Sequence, residues 1–220
     1  MALSIDMVSD VVCPWCYIGK RRLDEALALR PQVPVEVRFR PFFLNPWVPR
    51  EGISRADYLT RKWGSVERYR AIAQRVADAA AAEGLPFAAD KIMRQPNTLD
   101  CHRLILWAGE AGQAACMKQR LMQLYFAEGA DLTDPDVLAA AAADCGLDTD
   151  TAAIRSRLAT EEDVGRVEEE AASASAAGIS GVPCFIIGGT IAVEGAQSAQ
   201  YLAHAIDRAA QEHPGAERVA

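Results

Sequence analysis

Val11-Val12-Cys13-Pro14-Trp15-Cys16-Tyr17-Ile18-Gly19-Lys20 is the stretch on which the reading of this chain turns. Its two cysteines stand at C-x-x-C spacing, which serves either a redox dithiol or half of a tetrahedral metal site. Upstream, Leu3 to Val8 alternates well enough for a strand. Downstream, Tyr17, Ile18, Leu23, Leu27 and Leu29 form an apolar-periodic run, and Pro14 suits a first helical position, where its fixed φ fits and its missing N–H would be an orphan. The motif therefore sits in a strand-to-helix turn. A thiol there meets unpaired N–H groups and the helix dipole, which favour the thiolate and can lower its pKa from ~8.5 to ~3.5–7.5. Cys13 holds that position. Cys16, one turn in beside Tyr17 and Ile18, is expected to be buried and to react only after Cys13 has formed a mixed disulfide.

The metal reading requires two more ligands at a recognisable spacing. Cys101, Cys116, Cys145 and Cys184 are isolated, and Cys101-His102 are adjacent on a helix, so their side chains diverge. No metal is expected. Six cysteines in 220 residues are also too sparse for a stapling framework, and in a reducing compartment they should mostly be thiols.

The chain carries 23 basic and 30 acidic residues, a formal charge of -7, with no basic block, so nucleic acid would be repelled rather than steered. The N-terminus lacks the charged and apolar regions of a signal peptide, and no apolar run reaches membrane-spanning length. A soluble, cytoplasmic protein with no membrane partner is the expectation.

After the first helix, Pro31 and Pro34 interrupt, and Val35 to Phe43 alternates as a second strand, placed parallel to the first by a right-handed crossover and punctuated by Pro41 and the Asn45-Pro46 pair. From about Pro46 to Thr160 the texture is alanine-rich and helical, broken by turn signals such as Asp134-Pro135, and no strand candidate appears. Glu161 to Ala177 reads as one long helix stopped by Gly178. Gly181-Val182-Pro183-Cys184-Phe185-Ile186-Ile187-Gly188-Gly189-Thr190-Ile191-Ala192-Val193 has the shape of a hairpin turning at Gly188-Gly189, followed by an amphipathic helix with Leu202, Ile206 and Ala209 and a polar tail after Gln211 that is expected to fray. The order is βαβ, helical block, α, ββα. A proline at a strand entry such as Pro183 can be cis; alone, an ordinary trans proline is the better reading, but alongside C-x-x-C the preference reverses.

These residues resemble a known family. D-V-V-C-P-W-C-Y-I-G, R-P-F-F-L-N-P, P-N-T-L-D-C-H-R-L, G-I-S-G-V-P-C-F-I and V-E-G-A-Q-S fall in the order of cytosolic DsbA-like thioredoxin-fold proteins of the FrnE type, related to 2-hydroxychromene-2-carboxylate isomerases and kappa-class glutathione transferases. The resemblance spans nearly the whole chain. It implies an α/β thioredoxin fold, residues 1–45 and 160–220, split by an all-helical insertion, residues 46–159. It also implies a cis Pro183 packed over Cys13 and Cys16, the Val182 backbone facing the ligand, and Asn97, His102 and Arg103 on the inserted helix nearest the cleft. His102 is otherwise an ordinary hydrogen-bonded helix residue, and Cys101, Cys116 and Cys145 buried helix packing. In the isomerase and transferase relatives serine stands where this chain has Cys13, so the dithiol favours thiol–disulfide exchange. Relatives often carry an acidic residue at the position of Phe43; without it, Asp10 is either a substitute proton acceptor for Cys16 or a turn residue.

The expected function is a thiol–disulfide oxidoreductase in which Cys13 and Cys16 are catalytic, acting on a protein or low-molecular-weight thiol or disulfide. Pro14, Trp15, Asn45, Trp47, Asn97, His102, Val182 and Pro183 are the candidate substrate-binding residues, with Phe42, Trp47 and Trp15 giving the cleft an apolar wall. No cofactor is required, glutathione being a candidate redox partner, and the oligomeric state is left open, a homodimer included. Two rivals stand beside this reading: a glutathione-dependent isomerase or transferase, which would tolerate loss of Cys16, and a non-enzymatic adaptor that presents a client to a protease. Cys184, if Pro183 covers the dithiol, should point the other way, into the core under the sheet.

Overall fold

The computed structural model describes residues 2–147 and 150–212. The first strand, β1 (Leu3–Ser9), lies at the centre of a four-stranded sheet of order β2-β1-β5-β6. The alternation of Val35–Pro41 produces β2, parallel to β1 in the register Ile5↔Val37, and the crossover between them is α1 (Pro14–Ala28). Pro14 does stand at the start of that helix, with Cys13 as its N-cap.

Between β2 and β5 the chain is helical apart from a two-residue ladder, β3 (Ile53–Ser54) with β4 (Arg94–Gln95). Strands this short leave no periodicity to read, which is why the sequence shows none. The helices are α2 (Arg55–Trp63), α3 (Val66–Ala82), α4 (Leu99–Glu110), α5 (Ala114–Gln123), α6 (Pro135–Asp144) and α7 (Thr151–Leu158). Ser54, Ser65, Asp134 and Asp150 cap α2, α3, α6 and α7 by accepting first-turn N–H bonds with their side chains. A π-helical turn, Leu124–Glu128, extends α5 and ends at Gly129, whose φ of 72° suits glycine and where a Cβ would stand 2.6 Å from the Lys91 carbonyl oxygen.

The long helix expected from Glu161 begins later, as α8 (Val164–Ala176), because Asp163 adopts a left-handed φ of 58° and breaks the helical path. Then β5 (Cys184–Ile187) and β6 (Ile191–Glu194) form the antiparallel hairpin, with a three-residue link, Gly188 to Thr190, where Gly188-Gly189 alone was expected. Helix α9 (Ala199–Glu212) packs along α1. The polar tail expected to fray falls mostly on 213–220, outside the described residues.

One apolar core runs from Ile5, Met7 and Phe185 in the sheet, through Tyr17 and Leu23 of α1, to Leu104, Met117, Leu121 and Tyr125 of the inserted segment. Val8 and Cys184 face the other side of the sheet with Phe42, against Ala174 and Ile179. No helix among the described residues is long and apolar enough to cross a membrane.

One cysteine expectation is overturned. Cys116 and Cys145, read as buried helix packing with free thiols, are joined as a disulfide between α5 and the end of α6. Cys116 is exposed, and the packing of α5 against α6 brings residues 29 apart in sequence to a Cα separation of 5.6 Å, within bridging range. Cys101 and Cys184 are free and buried, as read.

Candidate active site

Three chain segments meet at the dithiol. The end of β1 delivers Asp10, whose carbonyl accepts the Cys13 N–H at 3.2 Å, and α1 starts immediately after. The loop before β5 closes over the motif: the Val182-Pro183 peptide is cis, and the Cys13 thiol donates to the Val182 carbonyl at 3.5 Å. Gly19 permits this closeness, since a Cβ there would stand 2.8 Å from Pro183 Cγ. The two cysteines are both free thiols and both buried.

Their acidities diverge. The Cys16 thiol donates to the Cys13 sulfur and lowers the Cys13 pKa; burial opposes, and the N–H groups of Cys16 and Trp15 at the helix start assist. Cys16 is pushed well above the ordinary thiol range, first by burial and then by Cys13. The largest influence on Cys13 is thus its partner thiol, burial is second in the opposite direction, and the helix-start N–H groups come after both.

These opposed shifts give the reduced protein a signed pH dependence. Depression of Cys13 contributes stability that is complete above the free-thiol value of ~8.5 and is lost as pH falls through the lower folded value. Elevation of Cys16 contributes stability that is complete below ~8.5 and is lost as pH rises toward its folded value. The Tm of the reduced protein minus that of the Cys13–Cys16 disulfide form should therefore rise with pH, peak near ~8.5 and fall beyond it. A flat difference from pH 5 to 10 would show that the two thiols are not polarised. In parallel, alkylation of reduced protein by iodoacetamide should titrate below ~8.5 and lose that phase in Cys13→Ser.

A cleft of about 280 Å³ opens on Cys13. Trp15, Tyr58, Trp63, Tyr69, Tyr125 and Phe126 give it an aromatic wall, with Val182, Arg55 and Lys62 also lining it. Trp15 is 40% exposed, a large apolar face offered to solvent beside the sulfur. Phe42 and Trp47, expected in this wall, do not line it: Phe42 is buried under the sheet, and Trp47 stacks behind Tyr58 at 5.9 Å beneath the Arg61 guanidinium. The aromatics come instead from α2, α3 and the π-helical turn, whose arrangement no local pattern encodes.

Asn45 is buried and its Oδ1 accepts from Lys62 Nζ at 2.6 Å, so it reaches the cleft through the lysine. Asn97 pins the start of α4, donating to the Val48 carbonyl at 2.7 Å and accepting from the Leu99 N–H. Asn45 and Asn97 also border a separate outer groove of about 740 Å³ beside α8. His102 is buried, its Nε2 3.4 Å from Asp10 Oδ1, a distance and angle at which neither atom has an aligned hydrogen bond. Phe43 meets the imidazole edge-on at 5.7 Å. Burial lowers the His102 pKa, the Asp10 carboxylate opposing. Burial also pushes the Asp10 pKa up, but His102, the Leu44 N–H and Lys118 together outweigh it and hold the carboxyl below its ordinary value. Arg103, expected near the cleft, is instead wholly buried and tied to the link between α7 and α8.

Arg55, Tyr58, Lys62 and Lys118 escaped the sequence reading. A signal for Lys118 existed: it lies three and four positions before Leu121 and Met122, on the apolar face of α5. Among the described residues no group of three or more His, Cys, Asp or Glu side chains is arranged to hold a metal.

Relatives share this architecture. A probable DsbA oxidoreductase from Streptomyces coelicolor has a solved structure that matches with a TM-score of 0.83 at 31% identity, covering 96% of this chain and 91% of that one. The Bacillus subtilis protein YwbO is 28% identical over 193 residues, 87% of this chain and 90% of its own. The cytosolic disulfide reductase DsbM of Pseudomonas aeruginosa, solved with GSH, matches at a TM-score of 0.61 and 19% identity, covering 97% of this chain and 98% of that one, a likeness of fold. The DSBA-like thioredoxin domain model matches residues 4–207, and with a dithiol at the start of α1, a cis-proline loop over it and this span of similarity, the chain belongs to the DsbA-like thioredoxin family.

Proposed function

We propose that this thiol–disulfide oxidoreductase acts on small anionic thiols and disulfides of the glutathione class. The observation that carries the reading is a pair of cations in the cleft over Cys13 that form no ion pair with an acidic side chain among the described residues. Arg55 donates only to neutral groups, Gln95 Oε1 at 2.9 Å, Tyr69 OH at 2.8 Å and Tyr125 OH at 3.3 Å, and lies over the Tyr58 and Tyr69 rings. Lys62 donates to the Asn45 amide and lies over Tyr58 and Trp63. A chain with formal charge -7 thus places two cations beside its reactive sulfur. That positive charge attracts a carboxylate-bearing substrate to the sulfur. The enclosed cleft suits a small molecule better than an extended polypeptide.

In this reading Cys13 attacks the substrate disulfide, the mixed disulfide lies under Val182 and Pro183, and Cys16 resolves it. Glutathione is then a substrate, with no resident cofactor needed. Lys62→Met tests the substrate class. It should raise KM for glutathione disulfide about tenfold, equivalent to ~1.4 kcal/mol of a charge-assisted contact, while leaving KM for the uncharged hydroxyethyl disulfide unchanged. Equal effects on the two substrates would remove the charge-recognition reading.

A further inference from the structure

When Cys16 resolves a mixed disulfide it must lose a proton inside the protein. The structure offers two acceptors. Asp10 is committed: its Oδ2 accepts the Leu44 N–H at 2.8 Å, its Oδ1 faces His102, and its pKa is held below the ordinary carboxyl value, which makes the carboxylate a weak base. Lys118 is not. It projects from α5 into the core, wholly buried, and its Nζ has no hydrogen-bond partner among the described residues. An unpaired amine in that position destabilises the fold, and a methionine of similar length would not. The charged and titratable groups within its electrostatic reach are Cys16, Asp10, Cys13 and Cys101, with His102 beside them. Among these Cys16 acts on it most strongly, and burial, the largest influence, draws its proton affinity below that of an ordinary amine.

We propose that Lys118 is the proton acceptor for Cys16. The inference rests on Cys13 and Cys16 being the redox dithiol. In the resolving step the Cys16 sulfur attacks Cys13 Sγ of the mixed disulfide, and the Cys13–Cys16 bond forms as the Cys13–substrate bond breaks. The substrate leaves as a thiolate, reduced by the electron pair that Cys16 gives up. The Cys16 proton passes to the Lys118 amine through a bridging water, leaving an ammonium near Asp10. In the reverse direction the ammonium returns the proton to the departing Cys16 thiolate. The lysine thus serves both directions, and its burial is a stability cost tolerated for proton transfer.

Ellman's reagent separates the steps on the intact reduced protein, because one thionitrobenzoate is released when Cys13 is modified and a second when Cys16 resolves it. Lys118→Met and Lys118→Gln should leave the first release within about twofold, slow the second at least tenfold at pH 7, and displace its pH midpoint upward by a unit or more, since a unit of pKa is a factor of ten in thiolate. Lys118→Met should also have an unchanged or higher Tm, which a packing role would not produce. If the second release keeps its rate and pH midpoint in both variants, or if Asp10→Asn alone displaces that midpoint, Lys118 is not the acceptor. If no second release occurs in the wild type, the dithiol reading itself fails, a result distinguishable from the first.

Discussion

Arg103→Ala is expected to cost ~3–5 kcal/mol of folding stability, a large fraction of the roughly 5–15 kcal/mol that holds a domain together. All five donors of its guanidinium are used. Nε donates to the Glu162 carbonyl, Nη1 to the Leu158 carbonyl and Asp100 Oδ1, and Nη2 to the carbonyls of Arg157 and Thr160, at 2.7 to 3.1 Å. The plane lies over Trp107 at 4.9 Å, and the Trp107 indole N–H donates to Asp163. This one side chain therefore carries the polar closure of the link between α7 and α8 onto α4. Removing it takes a donor from each of four carbonyls and from Asp100, which keeps Arg50, and empties the wholly buried place that the guanidinium fills. Arg103→Lys should recover less than half of the loss, because an ammonium has three donors and no planar fork. Urea denaturation measures both variants; a loss below ~1 kcal/mol for alanine, the scale of a single ordinary hydrogen bond, would contradict the cooperative role. The iodoacetamide titration of Cys13 should persist in whatever fraction remains folded, since Arg103 lies apart from the cleft.

The largest effect on activity is expected from the dithiol itself. Cys13→Ser should reduce disulfide exchange to background, because a hydroxyl does not ionise where the depressed Cys13 thiol does. Cys16→Ser should differ in kind. Attack by Cys13 remains, the mixed disulfide is not resolved, and one substrate thiol per chain stays attached under Val182. Intact-mass measurement after mixing reduced Cys16→Ser with glutathione disulfide reads this directly. Multiple turnovers by that variant would instead support the isomerase-like chemistry in which the second cysteine is dispensable.

The dithiol and its helix were legible because their determinants are local. Pro14 sets the φ of the first helical position, Cys13 precedes it, and the apolar spacing from Tyr17 to Leu27 requires no partner to be recognised. The same holds for β1, β2 and the β5–β6 hairpin, whose alternation and glycines lie within a few residues of one another. Helix α8 was read three residues too early because its start depends on the carbonyls of residues 157–162 turning toward Arg103, a contact across more than fifty positions.

The candidate site divides along the same line. Sequence by itself determined the reactive pair, the cis-proline loop and, through family resemblance, the fold that brings them together. Tertiary structure decided everything that tunes them. It drew Arg55, Tyr58 and Lys62 from α2 and Tyr125 from the π-helical turn into one cleft, turned Trp47 and Phe42 out of it, and buried Asp10 against His102. It bridged Cys116 to Cys145 and buried Lys118 with no hydrogen-bond partner among the described residues. The physical reason is range: dihedral preference and apolar period act over a turn or two of chain. Burial and unscreened charge, which set the acidity of a thiol or an amine, depend on neighbours that only packing supplies.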